Sequence, residues 1–150
     1  MSNLALIETF YTAFAHADAE GMVRCYADDI VFEDPAFGRL QGEDAKNMWR
    51  MLVNPGLSLI FNNVWTEGDT GGAHWEATYT FSKTGRRVVN KIDAGFVFRE
   101  GLICRHRDHF DFWKWSAQAL GTPGMLFGWT PFLKNKVRQQ ALERLRHFAK

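Results

Sequence analysis

The sequence predicts an α+β fold in which three helices precede a four-stranded antiparallel sheet and a helical tail follows it. Apolar residues recur every three or four positions in the first segment, residues 4–17, as they do on one face of a helix. From Leu57 they alternate with polar residues in four runs that turn sequences separate. Strands joined by tight turns run antiparallel, so these runs predict a meander.

The helical part begins with a helix over residues 4–17, which has Phe10 and Phe14 on its apolar face. A second, short helix follows Asp18, a favourable N-cap residue. Three residues form the expected buried side of this second helix: Met22, Val23 and Tyr26.

A short strand is expected at Ile30–Glu33, because Pro35 stops it. The segment PAFGRLQG, residues 35–42, is expected to be a loop. A third helix is expected over Glu43–Val53, with Trp49 directed inward. These elements complete the part of the chain that precedes the meander.

The meander strands are expected at residues 57–68, 73–82, 86–99 and 102–113, with turns at GDTGG, SKTG and REG. On the second strand the expected buried side consists of Trp75, Ala77, Tyr79 and Phe81. On the last strand the same alternation places His106, Asp108 and Phe110 on one face.

The tail is expected to be a helical extension, residues 116–150, packed on a single domain of residues 1–115. Its last helix begins near Pro131 and carries one apolar stripe: Leu133, Val137, Ala141, Leu145 and Phe148. The apolar segment Met125–Trp129 lies between helix breakers. It is compatible with a lid over a pocket, a dimer contact or a membrane-surface patch.

Composition narrows the class of protein. The chain has 150 residues, 46% hydrophobic and 23% charged, which suits one globular domain. A net charge of +1 gives no reason to expect nucleic acid as a partner. The N-terminus lacks a signal-peptide pattern and no apolar run is long enough to span a bilayer, so a cytoplasmic protein without membrane contact is expected. The 13 Phe and 6 Trp favour a large core or a pocket for flat apolar ligands.

The segment AHADAEGMVRCYADDIVFEDPAFG and the ending GLICRHRDHFD resemble the nuclear transport factor 2-like superfamily, which includes the ketosteroid isomerases and the SnoaL-like polyketide cyclases. The resemblance extends from about Ile7 to Trp113. It implies a cone in which a strongly curved antiparallel sheet wraps around a helix and leaves one open mouth, the cystatin-like arrangement. It also implies a homodimer through the outer face of the sheet.

The same resemblance implies roles for individual residues. Asp34 holds the position of the general base of the isomerases, and Asp108 matches the acid of the cyclases, with His106 at a histidine position two residues earlier. The Tyr and Asp that stabilise the enolate in the isomerases correspond to Phe10 and Ala94, which carry no donor. Steroid isomerisation is therefore disfavoured.

Physical chemistry supports Asp34 independently of the resemblance, because a carboxyl group at the rim of an aromatic cavity is partly desolvated and its pKa rises toward neutrality. The plain alternatives are a solvated turn acid at Asp34 and an arginine pair for Asp108. No metal and no organic cofactor is expected. The expected ligand contacts are Phe10, Phe14, Tyr26, Trp49, Ala94, Phe96 and Phe110.

Three functions fit these patterns. The first is cofactor-independent acid/base chemistry on a hydrophobic carbonyl compound, such as isomerisation, cyclisation or hydration, with Asp34, Asp108 and His106 as catalytic residues. The second is a binder of hydrophobic metabolites without turnover. The third is a protein-interaction or assembly module that uses the tail.

Overall fold

The computed structural model describes residues 1–150, which form six helices and one six-stranded sheet. The helices are α1 (Asn3–Ala15), α2 (Ala19–Val23), α3 (Glu43–Leu52), α4 (Phe112–Leu120), α5 (Thr122–Phe127) and α6 (Pro131–Phe148). The strands are β1 (Tyr26–Asp34), β2 (Gly38–Gln41), β3 (Ser58–Glu67), β4 (Thr70–Phe81), β5 (Arg86–Arg99) and β6 (Leu102–His109). The predicted α+β fold is confirmed.

The strand order is β2-β1-β6-β5-β4-β3, and the predicted meander forms four of these six strands, β3 to β6. β1 lies parallel to β6, so the sheet is mostly rather than wholly antiparallel.

Two predictions about the residues that precede the meander were wrong. Residues 38–41 form a strand, because Gly38 adopts φ 74° and turns the chain back so that it pairs with Asp34. Tyr26 begins β1 instead of belonging to α2.

The sheet is curved and does not close into a barrel. Asn63 adopts φ 52° at a register shift in β3, and a second shift lies in β5 next to Phe98. Such bulges bend and twist a strand. The concave face covers α1, whose buried residues join those of α3 and the inner sheet positions in one apolar core.

The core narrows to an aromatic cluster at one end. The Phe10 ring packs on the rings of Tyr26, Trp49, Phe96 and His106, whose centroids lie 5.4 to 6.3 Å from its own. The predicted N-cap of α2 is confirmed, since Asp18 accepts from the backbone N–H of Gly21, and Ser2 caps α1 in the same way by accepting from Ala5. Because these rings fill one end of the cone, a cavity can exist only at the other, wider end.

In the structure the tail consists of α4, α5 and α6, residues 112–150, and it packs on the domain through α4 and α6. The predicted boundary after residue 115 lies inside α4, whose Phe112 and Trp115 form a second apolar cluster with Val88 of β5. On α6, Leu145 is buried, whereas Phe148 is 46% exposed and does not continue the expected stripe inward. No helix combines the length and the hydropathy that crossing a membrane requires.

Candidate functional site

A cavity of about 520 Å³ lies between the inner face of the sheet, α3 and α6. This volume is within the range of small-molecule sites, and 18 of the 28 lining residues are hydrophobic. Four lining residues are titratable with charged side chains: Asp34, Lys83, Asp108 and Arg144. Lys83 and Arg144 are exposed and mark the mouth, while the two acids face the interior.

Asp34 is half-buried at the end of β1, where the turn to β2 holds its carboxyl group in place. Its Oδ1 accepts hydrogen bonds from the backbone N–H of Ala36 (3.0 Å) and of Phe37 (2.6 Å). Burial raises the pKa of Asp34 to about 7, and the charge of Asp108 adds to this rise. The two N–H donors and the Arg138 guanidinium oppose it without cancelling it. The group therefore loses and regains its proton near neutral pH.

Asp108 belongs to a buried chain of hydrogen bonds. Its Oδ1 lies 2.8 Å from His106 Nε2, and His106 Nδ1 lies 2.6 Å from the Tyr26 hydroxyl. Tyr26 in turn accepts from the indole N–H of Trp49 at 2.8 Å. His106 and Asp108 are 1% and 3% exposed, so this chain is shielded from bulk water.

The donors of this chain fix the direction of its bonds. The Trp49 indole can only donate, so the Tyr26 hydroxyl accepts this bond, and its own proton is available to His106 Nδ1, its other partner. Because the Asp108 carboxylate can only accept, His106 donates to it from a protonated Nε2. A second indole, that of Trp75, donates to the same Asp108 Oδ1 at 3.3 Å. Asp108 Oδ2 makes no hydrogen bond within the chain and is free for a ligand.

Tyr79 and Asn90 also line the cavity. The Tyr79 hydroxyl accepts from the Trp115 indole at 2.8 Å and donates to no protein group. The Asn90 amide has no protein partner. Asn90 pairs with Ala77 in the β4–β5 ladder, so it is a diagonal neighbour of Tyr79 on the same face. Two unused donors therefore point into the cavity side by side.

Sequence reasoning placed Tyr79 only on the buried side of β4 and did not single out Asn90. A signal for Asn90 exists, because it is the one amide at an inward position between Val88 and Ile92. The donor role of Tyr79 had no such signal, since it depends on Trp115 from α4, 36 residues away.

The structure brings only some of the predicted site residues to the cavity. Phe14, Trp49 and Phe110 line it together with Asp34 and Asp108. The expectation that the other residues contact the cavity is corrected. Their side chains fill the aromatic end of the core, because the curved sheet closes on α1 there. These residues are Phe10, Tyr26, Ala94, Phe96 and His106, of which His106 reaches the site only through Asp108.

Tyr11 differs from its neighbour Tyr26. Its ring stacks on Phe61 and is fully buried, but its hydroxyl makes no hydrogen bond with any protein group. Burial, followed by the charge of Asp108, raises the pKa of Tyr11 well above its usual value, so the hydroxyl stays protonated. It lies outside the cavity lining.

This arrangement suits proton transfer. One carboxyl group titrates near neutrality, a second is anchored by a histidine, and two neutral donors face the same apolar space. No group of three or more His, Cys, Asp or Glu side chains has an arrangement that could hold a metal ion. Cys25 and Cys104 are free thiols outside the cavity.

Several solved structures share this fold. A proposed polyketide cyclase of Xanthomonas campestris pathovar campestris superposes with a TM-score of 0.63 and 22% identity, over 76% of this chain and 93% of that one. An epoxide hydrolase of Mycobacterium tuberculosis, described as LEH-like, gives a TM-score of 0.63 and 19% identity, over 82% and 91%. At these identities the likeness concerns the fold alone.

A third similar structure is a nuclear transport factor 2-like protein of unknown function from Burkholderia pseudomallei, with a TM-score of 0.62 and 22% identity, over 74% of this chain and 92% of that one. No curated protein matches the sequence. The model of the SnoaL-like domain family, however, matches residues 7–106, two thirds of the chain. The chain therefore belongs to the SnoaL-like family and has the nuclear transport factor 2-like fold.

Proposed function

We propose that this protein binds a small hydrophobic carbonyl compound in its cavity and moves protons on it without a metal or an organic cofactor. The observation that carries the proposal is the pair Asp34 and Asp108, two carboxyl groups that face one apolar cavity from different strands. Isomerisation, cyclisation and hydration all use such a pair.

Asp34 is the general base in this proposal. Its Oδ1 is held by backbone N–H groups, so Oδ2 is the oxygen that takes a proton from the carbon next to the carbonyl. The C–H electron pair moves into the enolate, whose oxygen gains negative charge. The Tyr79 hydroxyl and the Asn90 amide are the donors that stabilise this oxygen. They replace the donors absent at Phe10 and Ala94, at a different place on the sheet.

Asp108 handles the second proton. Asp34, once protonated, returns its proton to another carbon in an isomerisation or to the oxygen of the attacked carbonyl in a ring closure. The charged Asp108 takes the proton of a substrate hydroxyl or of an attacking water, as in a hydration. Asp108 Oδ2 is unbonded and faces the cavity, while His106 and Trp75 hold Oδ1. His106 is thus a positioning residue, since it acts on the substrate through Asp108. The fold is also that of a proposed polyketide cyclase and an epoxide hydrolase, which supports a small-molecule function.

The proposal can be tested with 2-tetralone, a compact aromatic ketone with acidic protons beside its carbonyl. The rate at which these protons exchange in D₂O is measured by NMR with and without the full chain. We expect the protein to accelerate exchange and Asp34→Asn to abolish the acceleration. Glu33→Gln is the matched control, because Glu33 is adjacent but exposed on the other face. Equal acceleration by the parent and by Asp34→Asn would show that Asp34 is not the general base.

A second candidate is binding without turnover, which the largely apolar lining favours. In that case 2-tetralone raises the melting temperature of the parent and of Asp34→Asn alike, and exchange stays at the rate without protein. The rate of proton exchange in 2-tetralone therefore distinguishes catalysis from binding without turnover.

We also propose that the protein forms a homodimer through the outer face of the sheet, where Ile60 and Trp65 are exposed. An uncovered apolar sheet face favours such a contact. Light scattering of the parent and of Ile60→Asp measures it, and a monomeric parent would exclude it.

A further inference from the structure

Six large apolar side chains are exposed within twenty residues of the tail, and we call this group the apolar tip. Each of these side chains is at least half exposed to solvent, and all six belong to residues 113–132. The apolar tip consists of Trp113, Met125, Leu126, Phe127, Trp129 and Phe132. None of the six lines the cavity, which the tail covers with residues of α4 and α6 instead. The lid function considered for Met125–Trp129 is therefore not the one the structure favours.

Glycine packing explains why α5 turns its apolar side outward. A Cβ atom on Gly124 would lie 1.9 Å from the Ser116 carbonyl oxygen, and one on Gly128 would lie 2.0 Å from Ser116 Oγ. α5 thus contacts α4 through its glycines, and Met125, Leu126 and Phe127 must face away.

Hydrogen bonds hold the two exposed indoles of the apolar tip. Trp113 Nε1 donates to the Met125 carbonyl at 2.9 Å, and Trp129 Nε1 donates to the Leu126 carbonyl at 3.0 Å. The rings are therefore presented in fixed positions with their apolar surface in solvent. Such a patch marks a contact with something outside the chain.

Charge identifies the class of partner. Residues 112–150 contain seven of the 18 Lys and Arg residues of the chain but only one of its 17 Asp and Glu residues, Glu143. The other 111 residues therefore carry 11 basic and 16 acidic groups. Lys114 and Lys136 are exposed next to members of the apolar tip. Symmetric contact between two such tails would bring like charges together, which is unfavourable.

We propose that the apolar tip inserts into the headgroup region of an anionic lipid bilayer, with the basic residues of the tail against the headgroups. Aromatic and aliphatic side chains on one side and Lys/Arg around them are the features of interfacial membrane contact. This reverses the expectation from the sequence that membrane contact is absent.

The experiment is flotation of the full chain with vesicles of phosphatidylcholine alone and of phosphatidylcholine mixed with phosphatidylglycerol. We expect binding to the mixed vesicles and loss of binding in Trp129→Ser/Phe132→Ser. The matched control is Leu4→Ser, which removes an exposed apolar side chain from α1, outside both the apolar tip and the proposed dimer face, and should bind like the parent. Failure of the parent to float with mixed vesicles, or equal binding of the tip variant, would overturn the proposal.

A second variant tests the electrostatic half. Lys114→Gln/Lys136→Gln removes two charges, each of which contributes about 1 kcal/mol to binding, so we expect roughly thirtyfold weaker partitioning into the mixed vesicles. High salt should weaken the binding of the parent as well, because it screens the same charges. Light scattering separates lipid from a second copy of the chain. If Trp129→Ser/Phe132→Ser turns a dimer into a monomer and the parent does not float, the apolar tip is a self-association contact and the proposal is wrong.

Discussion

The indole nitrogen of Trp115 lies 2.8 Å from the hydroxyl oxygen of Tyr79. Because an indole only donates, the hydroxyl accepts this bond and its own proton is left for a group in the cavity. Burial raises the pKa of Tyr79, so the hydroxyl is a protonated donor at neutral pH. A helix of the tail thereby prepares a donor on the sheet, which is the kind of preorganisation that stabilises a developing oxyanion.

Tyr79→Phe is expected to slow the protein-catalysed exchange of 2-tetralone by about tenfold to a hundredfold, because one enolate donor is lost. The measurement is the NMR exchange rate at saturating ketone. Tyr11→Phe is the matched control, since it deletes the same atom from a buried tyrosine outside the cavity lining. An unchanged rate in Tyr79→Phe would remove this residue from the mechanism.

The pH dependence of exchange should follow Asp34. Its pKa is raised to about 7, mainly by burial, and only the ionised form accepts a proton. The rate is therefore expected to rise as pH increases toward 7 and to level off above it. A profile with its midpoint near pH 4, where an ordinary carboxyl group titrates, would contradict a sheltered Asp34.

The same group makes folding stability depend on pH. Between about pH 4 and pH 7 folded Asp34 holds a proton that the unfolded chain has lost, so stability falls as pH rises through this window. The full effect is at most about 4 kcal/mol at pH 8. Asp34→Asn keeps the oxygen that accepts from Ala36 and Phe37 but cannot ionise. In urea unfolding it should gain stability over the parent at pH 8 and much less at pH 4, and equal gains at both would contradict the linkage.

Two buried tyrosines should respond oppositely to loss of their hydroxyl groups. Tyr26→Phe removes the link between Trp49 and His106 and leaves the Trp49 indole N–H and His106 Nδ1 unpaired, at a cost of about 1 to 3 kcal/mol. Tyr11→Phe removes a hydroxyl that has no protein partner, so stability should be unchanged or higher. Urea unfolding of both variants measures the difference. Equal destabilisation would show that the Tyr11 hydroxyl is satisfied, for example by water.

Gly124→Ala should destabilise the tail, because the added Cβ would collide with the Ser116 backbone and force α5 off α4. Overpacking of this kind costs about 1 to 3 kcal/mol. Gly95→Ala is the control, since a Cβ there meets no atom within 4 Å. Limited proteolysis of the tail reports the effect. Equal resistance of both variants to cleavage would show that the α4–α5 contact accommodates the added Cβ, which would contradict the prediction.

Local patterns determined much of the molecule. The alternation from residue 57 onward predicted the meander and the inward side of β4, and the capping residue Asp18 predicted where α2 begins. The motif around Asp34 and the ending around Asp108 led to the family. These features depend on residues that are neighbours in the chain, so spacing alone reveals them.

Contacts between distant segments decided the rest. The fold back at Gly38 made a strand of an expected loop, and closure of the sheet around α1 placed Phe10, Phe96 and His106 in packed core instead of the cavity wall. Only the tertiary structure joined Trp115 to Tyr79 and turned the apolar side of α5 into solvent. A sequence shows which side chains are apolar or can donate. Whether such a group meets a partner, a cavity or water depends on how far the sheet curves and where the tail packs.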